Sequence, residues 1–248
     1  MRYFIELAYY GASYCGWQRQ PNALSVQQVL EEAMTIFLRT SITVVGAGRT
    51  DAGVHAKQLF AHFDFLDIQD ISEAIYRINA LLPEDISVTS IRPVVEDAHA
   101  RFHASERAYA YHIVLSKNPF TTGLAHQVHK RPNVVLMNEA ANLLLGHQDF
   151  QCFSRSNTDV KTYYCDVKKA IWVLQGNSLF FTIAADRFLR NMVRAVVGTL
   201  LDVGFEKKSL EDFKQILASK DRSNAGASAP AQGLYLTKVA YPEAIFIT

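Results

Sequence analysis

The spacing of apolar residues switches repeatedly between two periods in the first 95 residues, and this restricts the fold more than any other feature. Tyr3, Ile5, Leu7 and Tyr9 alternate with Arg2, Phe4, Glu6 and Ala8, the period of a strand with two unlike faces. Val26, Leu30, Ala33, Met34, Phe37 and Leu38 then recur at helical spacing, behind Ser25-Val26-Gln27-Gln28, which predicts a capping box. Ile42 to Val45 predicts a second strand and Gln58 to Phe65 a third. Ile71 to Leu82 predicts a helix stopped by Pro83, and Ile86 to Val94 a further strand. The order is β-α-β-β-α-β.

The second half repeats this alternation more loosely. Arg107 to Leu115 predicts a strand, Ser116 to Pro132 an irregular stretch, and Asn138 to Leu145 a short helix ended by Gly146. Tyr163 to Leu174 and Leu179 to Ala185 predict a hairpin around Gly176-Asn177. Phe188 to Leu201 and Leu210 to Ala218 predict helices, and Leu234 to Val239 a last strand. Such an order fits an α+β fold of two similar, RRM-like halves, with largely antiparallel sheets flanked by helices, better than a doubly wound parallel sheet. The halves are expected over 1–98 and 99–248, with the active-site cleft between them.

Composition supports a packed chain. At 248 residues and 27.8 kDa, folding is expected to bury about 70% of the extended chain's surface. Residues are 49% apolar and 20% charged, which excludes a disordered chain. The 25 Lys+Arg against 24 Asp+Glu exclude a uniformly basic nucleic-acid coat but not a local basic patch. Cys15, Cys152 and Cys165 are scattered and odd in number, as free thiols in a reducing compartment would be. No apolar run reaches the ~20 residues of a membrane span. The alternating first residues, with Glu6, read as a strand rather than a secretion leader. No membrane partner is expected, and the expected location is the cytoplasm.

Three segments carry chemistry. In Gly46-Ala-Gly-Arg49-Thr50-Asp51-Ala-Gly53-Val-His55, Arg49 and Asp51 flank Thr50, so an extended backbone points both to one side. A carboxylate beside a guanidinium stays ionised, which suits a nucleophile or an electrostatic stabiliser. A plain strand-to-strand loop in which Arg49 and Asp51 pair with each other explains the same residues. The second segment, Ala100 to Tyr111, interleaves Arg101 and Arg107 with Tyr109 and Tyr111. Such a surface holds phosphates and stacks a base, and a half-buried strand with a tyrosine face accounts for it equally. In the third, Arg187, Arg190 and Arg194 fall at i, i+3 and i+7, one face of a helix. They are candidates for RNA phosphates, or for pointing one member at a carboxylate; a solvated helix face is the plainer alternative. The eight histidines show no metal-ligand spacing, and neither HExxH, a P-loop nor GxSxG occurs, so no metal site is expected.

Taken together, these segments resemble the tRNA pseudouridine synthase A family. Gly48-Arg49-Thr50-Asp51-Ala52-Gly53-Val54-His55-Ala56 is similar to its signature loop, and Tyr14-Cys15-Gly16-Trp17-Gln18 to its opening element. Ala100-Arg101-Phe102 with Arg107, Tyr109 and Tyr111, then Phe188-Leu189 with Met192-Val193-Arg194, then Ala229-Pro230-Ala231 with Gly233-Leu234, match later blocks in order. Ser116 to Asn133 matches none.

The resemblance implies an isomerase that turns uridine into pseudouridine at positions 38, 39 and 40 of the tRNA anticodon stem-loop. It implies no cofactor or metal, and a homodimer. Carried over to this chain, Asp51 is the catalytic carboxylate and Arg194 the partner that ionises and orients it. Tyr109 stacks on the target base, and Arg49 fills or stabilises the place the base leaves. The 1–98 half then carries the Asp loop, and the 99–248 half the Tyr and Arg elements. Arg187, Arg190, Arg101 and Arg107 are the phosphate-binding candidates. Val54, Leu189 and Leu234 are candidates for an apolar wall that keeps water from the loose uracil, Leu234 also for contact with substrate. A non-catalytic RNA-binding module would need the aromatic and basic faces but not Asp51. A carboxylate-nucleophile hydrolase would want a second acid.

Overall fold

The computed structural model describes residues 1–155 and 160–247. Among these there are ten strands and five α-helices, the strands mostly antiparallel, and the α+β expectation holds. The chain divides into two compact units, residues 1–105 with 235–248, and 106–234.

The first unit follows the expected order: β1 (Arg2–Tyr9), α1 (Val26–Leu38), β2 (Val45–Gly46), β3 (His55–Asp64), α2 (Ile71–Leu81) and β4 (Ile86–Val94). β1 lies between β4 and β3, antiparallel to both, and β2 flanks β3. This order is that of a split βαβ sheet. Register places Ile5 opposite Ala61 and Ile91, and Tyr3 opposite Phe63. These residues are buried, together with Leu30, Met34, Ala74 and Ile78 of the helices.

The alternate face of the same strands is not open. Tyr241 sets its ring edge on Phe4 (5.0 Å) and Phe60 (5.2 Å), and Phe246 packs edge-on against Phe4 at 6.0 Å. Arg92 lies 3.8 Å above the Phe246 ring.

The second unit contains β5 (Glu106–Val114), β6 (His126–Gln127), α3 (Val134–Asn142), β7 (Gly146–Asp149), β8 (Tyr164–Gln175), β9 (Ser178–Ala185), α4 (Met192–Gly204) and α5 (Leu210–Ser219). Its sheet runs β5–β9–β8–β7, so β5–β9–β8 repeats the order β1–β3–β2. The Asn138 side chain bonds both the N–H (2.8 Å) and the carbonyl (3.1 Å) of Trp172, pinning α3 to β8. Trp172 stacks on Phe181 at 4.8 Å inside this core. The last strand, β10 (Leu234–Ala240), pairs Tyr235 and Leu236 in parallel with His55 and Ala56 of the first unit's β3.

Several boundaries differ from expectation for identifiable reasons. The strand expected over Ile42–Val45 shrinks to Val45–Gly46, because α1 side chains take the preceding backbone groups. Thr35 Oγ1 accepts from Ile42, Glu31 accepts from the Val44 N–H, and Gln27 donates to the Val44 carbonyl. Ser25 caps α1 by accepting from the Gln28 N–H, but the Gln28 side chain pairs with Glu32, so only half of the expected box forms. α3 starts four residues early, because Asn133 accepts from the Leu136 N–H and sets a cap there. The stretch Ser116 to Pro132 holds one 3₁₀ turn, Pro119–Thr121, and β6, which is parallel to β5. Helix α4 begins at Met192 rather than Phe188, because Asn191 stands at φ +65, a left-handed conformation that asparagine adopts more readily than most residues.

His62, on β3, is buried, and its Nδ1 accepts from the Ala100 N–H at 3.1 Å. Burial, with the nearby His99 and Arg2, pushes its pKa from 6.5 down to about 4; Asp64, held by Arg2 at 2.8 Å, opposes the shift. The unfolded chain therefore binds a proton that the folded chain refuses. His62 contributes stability that is fully present above pH 6.5 and is lost as pH falls toward 4. In denaturant titrations across this range, wild type is expected to lose stability more steeply than His62→Gln. Parallel curves would show that His62 titrates alike in both states.

Candidate active site

Two glycine-bearing stretches of the first unit form one object. The Asp51 loop, which sequence spacing leaves as an independent segment, is clamped by residues 9–17. Gly16, at φ +102, lies so close that a Cβ there would sit 3.0 Å from the Asp51 carbonyl carbon and closer still to the Thr50 oxygen. Gly11 abuts the Val54 carbonyl in the same way. Only a residue without Cβ permits such approach. Around these contacts Trp17 N–H donates to the Thr50 carbonyl (3.3 Å), and Gly53 N–H to the Tyr14 carbonyl (3.3 Å). The Tyr9 and Thr50 hydroxyls share a 2.8 Å bond. The Trp17 ring fills the space beside Gly46.

Within this clamp Asp51 to Val54 form a turn, closed by the Val54 N–H on the Asp51 carbonyl at 3.2 Å, with Gly53 at φ +76. Thr50 is buried, Asp51 half-buried and Arg49 exposed. The loop thus buries Thr50 and leaves its charged neighbours nearer water. His55 ends the loop and is fully buried. Its ring lies 4.7 Å from both Tyr10 and Tyr235, and its Nδ1 accepts from the Gly11 N–H at 3.0 Å. Burial, with the nearby Tyr10, raises the Tyr235 phenol to about 12. His55 is a packed acceptor that holds the end of the loop.

In the second unit, β5 places Tyr109 and Tyr111 two residues apart, on one side of the strand. Tyr111 is buried and donates to the Pro230 carbonyl at 2.8 Å. Tyr109 is half-buried, with the Phe188 ring edge-on at 5.1 Å and 89°. The geometry fixes the plane of the Tyr109 ring through Phe188 while keeping part of it accessible. Arg107 donates to the Asp186 carbonyl at 2.8 Å. Arg101 belongs to the first unit, exposed beside Phe102, so Arg101 and Arg107 do not share one strand. Arg194 stands in the first turn of α4, its Nε donating to the Ala229 carbonyl at 2.7 Å.

The expected helix face of three arginines does not form. Asn191 breaks the backbone ahead of α4, so Arg187 and Arg190 lie in the approach segment and only Arg194 is helical. Arg187 is half-buried and Arg190 exposed. Val54, Leu189 and Leu234 are all buried, at 1%, 5% and 5% exposure. Cys152 and Cys165 are buried too, and burial pushes both thiols up to about 12, which makes them poor nucleophiles.

The family model described as "tRNA pseudouridine synthase" matches residues 140–242. That stretch includes Arg187, Arg190, Arg194 and Leu234 but stops short of Asp51. Whole-chain relatives complete the coverage. A tRNA pseudouridine synthase A of Parabacteroides distasonis is 48% identical over 246 residues, 99% of this chain and 98% of its own length. One of Porphyromonas gingivalis is 51% identical over 251 residues, covering 99% of both chains. One of Francisella philomiragia is 37% identical over 98% of this chain and 95% of its own. The chain belongs to the tRNA pseudouridine synthase A family.

For a member of this family, the residues that sequence reasoning left without a task are the clamp itself. Gly11, Gly16 and Trp17 were legible as a glycine-rich aromatic loop, but nothing in their spacing says which backbone they touch. Tyr14 adds a further anchor: its hydroxyl bonds Asp85 at 2.5 Å, and burial with that bond raises its pKa.

Gly16→Ala tests the clamp. The methyl meets backbone on one side, and φ +102 disfavours any L side chain. A cost of about 1–3 kcal/mol in unfolding free energy is expected, the size of a strained backbone position. An unchanged denaturation midpoint would show that the two stretches separate easily.

Proposed function

We propose that this chain converts uridine to pseudouridine at positions 38, 39 and 40 of the tRNA anticodon stem-loop, with Asp51 as the essential carboxylate. The relatives carry the name tRNA pseudouridine synthase A along almost their whole lengths. The observation that supports Asp51 is its setting: a half-buried carboxylate on a turn whose flanks are held by foreign backbone at Gly11 and Gly16. Rigid placement matters for a group that must meet one carbon of a flipped nucleotide, since errors near 1 Å cost on the order of 10²-fold in rate.

The atoms balance without a co-reactant, so the proposal includes neither cofactor nor metal. The bond from C1′ to N1 of uracil breaks and a bond from C1′ to C5 forms. The proton on C5 leaves and N1 gains one. An ionised carboxylate serves that sequence, either by bonding to the sugar or ring carbon or by assisting departure of the base. The target base must leave the stack to be reached. In this reading Tyr109, its plane set by Phe188, lies on the extruded base, and Arg49 takes the vacated place in the helix. Leu234 supplies apolar contact, and Arg194 is the cation that keeps Asp51 ionised. Homodimer formation and a cytoplasmic location, where unmodified tRNA is met, complete the proposal. Among the described residues no helix is long and apolar enough to cross a membrane.

A module that merely binds RNA on its sheet face is the weaker reading. In the first unit, the face carrying Phe4 and Phe60 is occupied by the chain's own Tyr241 and Phe246, so bases do not stack there.

Asp51→Asn keeps the shape and removes the charge. With uridine tritiated at C5 in tRNA, single-turnover tritium release is expected to fall by roughly 10³-fold or more, while tRNA affinity stays within about twofold. Turnover near wild type would sink the assignment.

With the shared helix face gone, the arginines are expected to separate in their effects. Arg190→Ala should reduce the slope of log K against log salt by about 0.9 if it holds one phosphate, without changing the rate at saturating tRNA. Arg194→Ala should slow the chemical step and leave that slope alone. A reversed pattern would exchange their roles.

A further inference from the structure

The turn that carries Ala229, the acceptor for Arg194, is itself held by a second arginine. Arg222 donates through one terminal nitrogen to the Gly226 carbonyl (3.1 Å) and through the other to Ser228 Oγ (3.0 Å). Ser228 Oγ also accepts from Asn191 Nδ2 at 2.7 Å, so the residue that breaks the chain ahead of α4 is tied to the same hydroxyl. Gly226 N–H donates to Thr199 Oγ1 at 2.9 Å, and Ala229 N–H to the Arg194 carbonyl at 2.9 Å. Gly198 allows the Ala227 carbonyl to lie directly on α4, where a Cβ would come within 3.0 Å of the Ala227 carbonyl carbon. Beyond Ala229, the Pro230 carbonyl is held by Tyr111. All of these residues lie in the second unit.

We propose that Arg222 is a positioning residue for Arg194: by bridging Gly226 and Ser228 it fixes the turn whose Ala229 carbonyl holds the Arg194 Nε. The inference rests on the reading of Arg194 as the cation that serves Asp51. A long arginine side chain samples many rotamers, and one bond at Nε sets both its reach and the plane of its guanidinium. That bond is only as fixed as the carbonyl that accepts it. Arg222 touches neither of the residues assigned to the chemistry and acts through the backbone between Ser228 and Ala229. A forked guanidinium reaches two acceptors two residues apart, and an ammonium does not present that geometry.

Ser228→Ala, Arg222→Ala and Arg222→Lys separate this role from plain stability. Ser228→Ala deletes only one oxygen from a partly exposed site and is the variant most certain to fold. Two quantities are read in the full-length protein. The first is solvent exchange of the Arg194 Nε–H by nitrogen-15 NMR. It is expected to quicken roughly tenfold in Ser228→Ala and Arg222→Ala, the weight of about one hydrogen bond, and to recover only partly in Arg222→Lys. The second is the single-turnover rate at saturating tRNA, expected to fall roughly tenfold with the dissociation constant for tRNA unchanged. The Ser228→Ala, Arg222→Ala double variant should be no slower than the worse single one, because both act on one turn. Unchanged exchange of the Arg194 Nε–H would overturn the proposal. So would quickened exchange with a wild-type rate, provided Arg194→Ala is slow. If Arg194→Ala itself keeps the wild-type rate, the reading of Arg194 falls, and the exchange measurement alone decides whether Arg222 holds it.

Discussion

Backbone lying against backbone is the contact on which the shape of the Asp51 loop depends. The Asp51 turn carries few large apolar side chains of its own, Gly and Ala making up half of Gly46 to His55. It keeps its shape because residues 11 and 16 lack a Cβ and let a second strand of chain rest on Thr50, Asp51 and Val54. Close approach brings N–H donors and carbonyls into range of one another, and the loop's polar groups are then satisfied by that neighbour instead of by water. Trp17 and the His55 ring stack close the two ends.

The second unit solves a related problem by different means. Its α4 is buried along most of its length, and its two charged residues, Arg194 in the first turn and Asp202 in the last, are both half-buried. The left-handed Asn191 starts the helix late and places Arg194 in the first turn, with the 226–230 segment laid along the helix to receive it. Small residues again make room: Gly198 under Ala227, and Gly233 against the Tyr111 ring. Side chains that read as separate motifs in the sequence, Tyr111, Arg194 and Ala229 to Leu234, are one packed group.

Much of this was legible in the sequence wherever periodicity carried the signal. β4 and the β8–β9 hairpin fall almost where alternation puts them, because a strand packed on one face must repeat every two residues. Failures cluster where a side chain overrules the local pattern. Glu31 and Gln27 claim the backbone of Val44, and strand pairing there gives way to side-chain bonds. Asn133 starts α3 early and Asn191 starts α4 late; both are single-residue conformational choices that a periodicity window averages away. Asp51, Tyr109 and Arg194 were identifiable as candidates from resemblance, whereas Arg222 was not. Its role depends on the carbonyl of Ala229, one residue beyond its contact at Ser228, and no spacing rule relates a guanidinium to the backbone it steadies.

The split βαβ order carries a further consequence for where RNA is met. In a sheet of this topology, the face opposite the helices is the natural platform for bases. Here the first unit spends that face on its own C-terminal aromatics, with Tyr241 between Phe4 and Phe60 and Arg92 over Phe246. Burying these rings strengthens the core but removes a stacking surface. With that face covered, the recognition proposed for this unit falls to its loops, among them the clamped one that carries Asp51. A platform reads a flexible single strand laid across it. A rigid loop bearing one carboxylate suits an opposite task, meeting a single nucleotide already drawn out of its helix. The covered sheet and the clamped loop are two consequences of one arrangement, in which packing and close backbone approach fix the scaffold and leave Asp51 half-buried and Arg49 exposed.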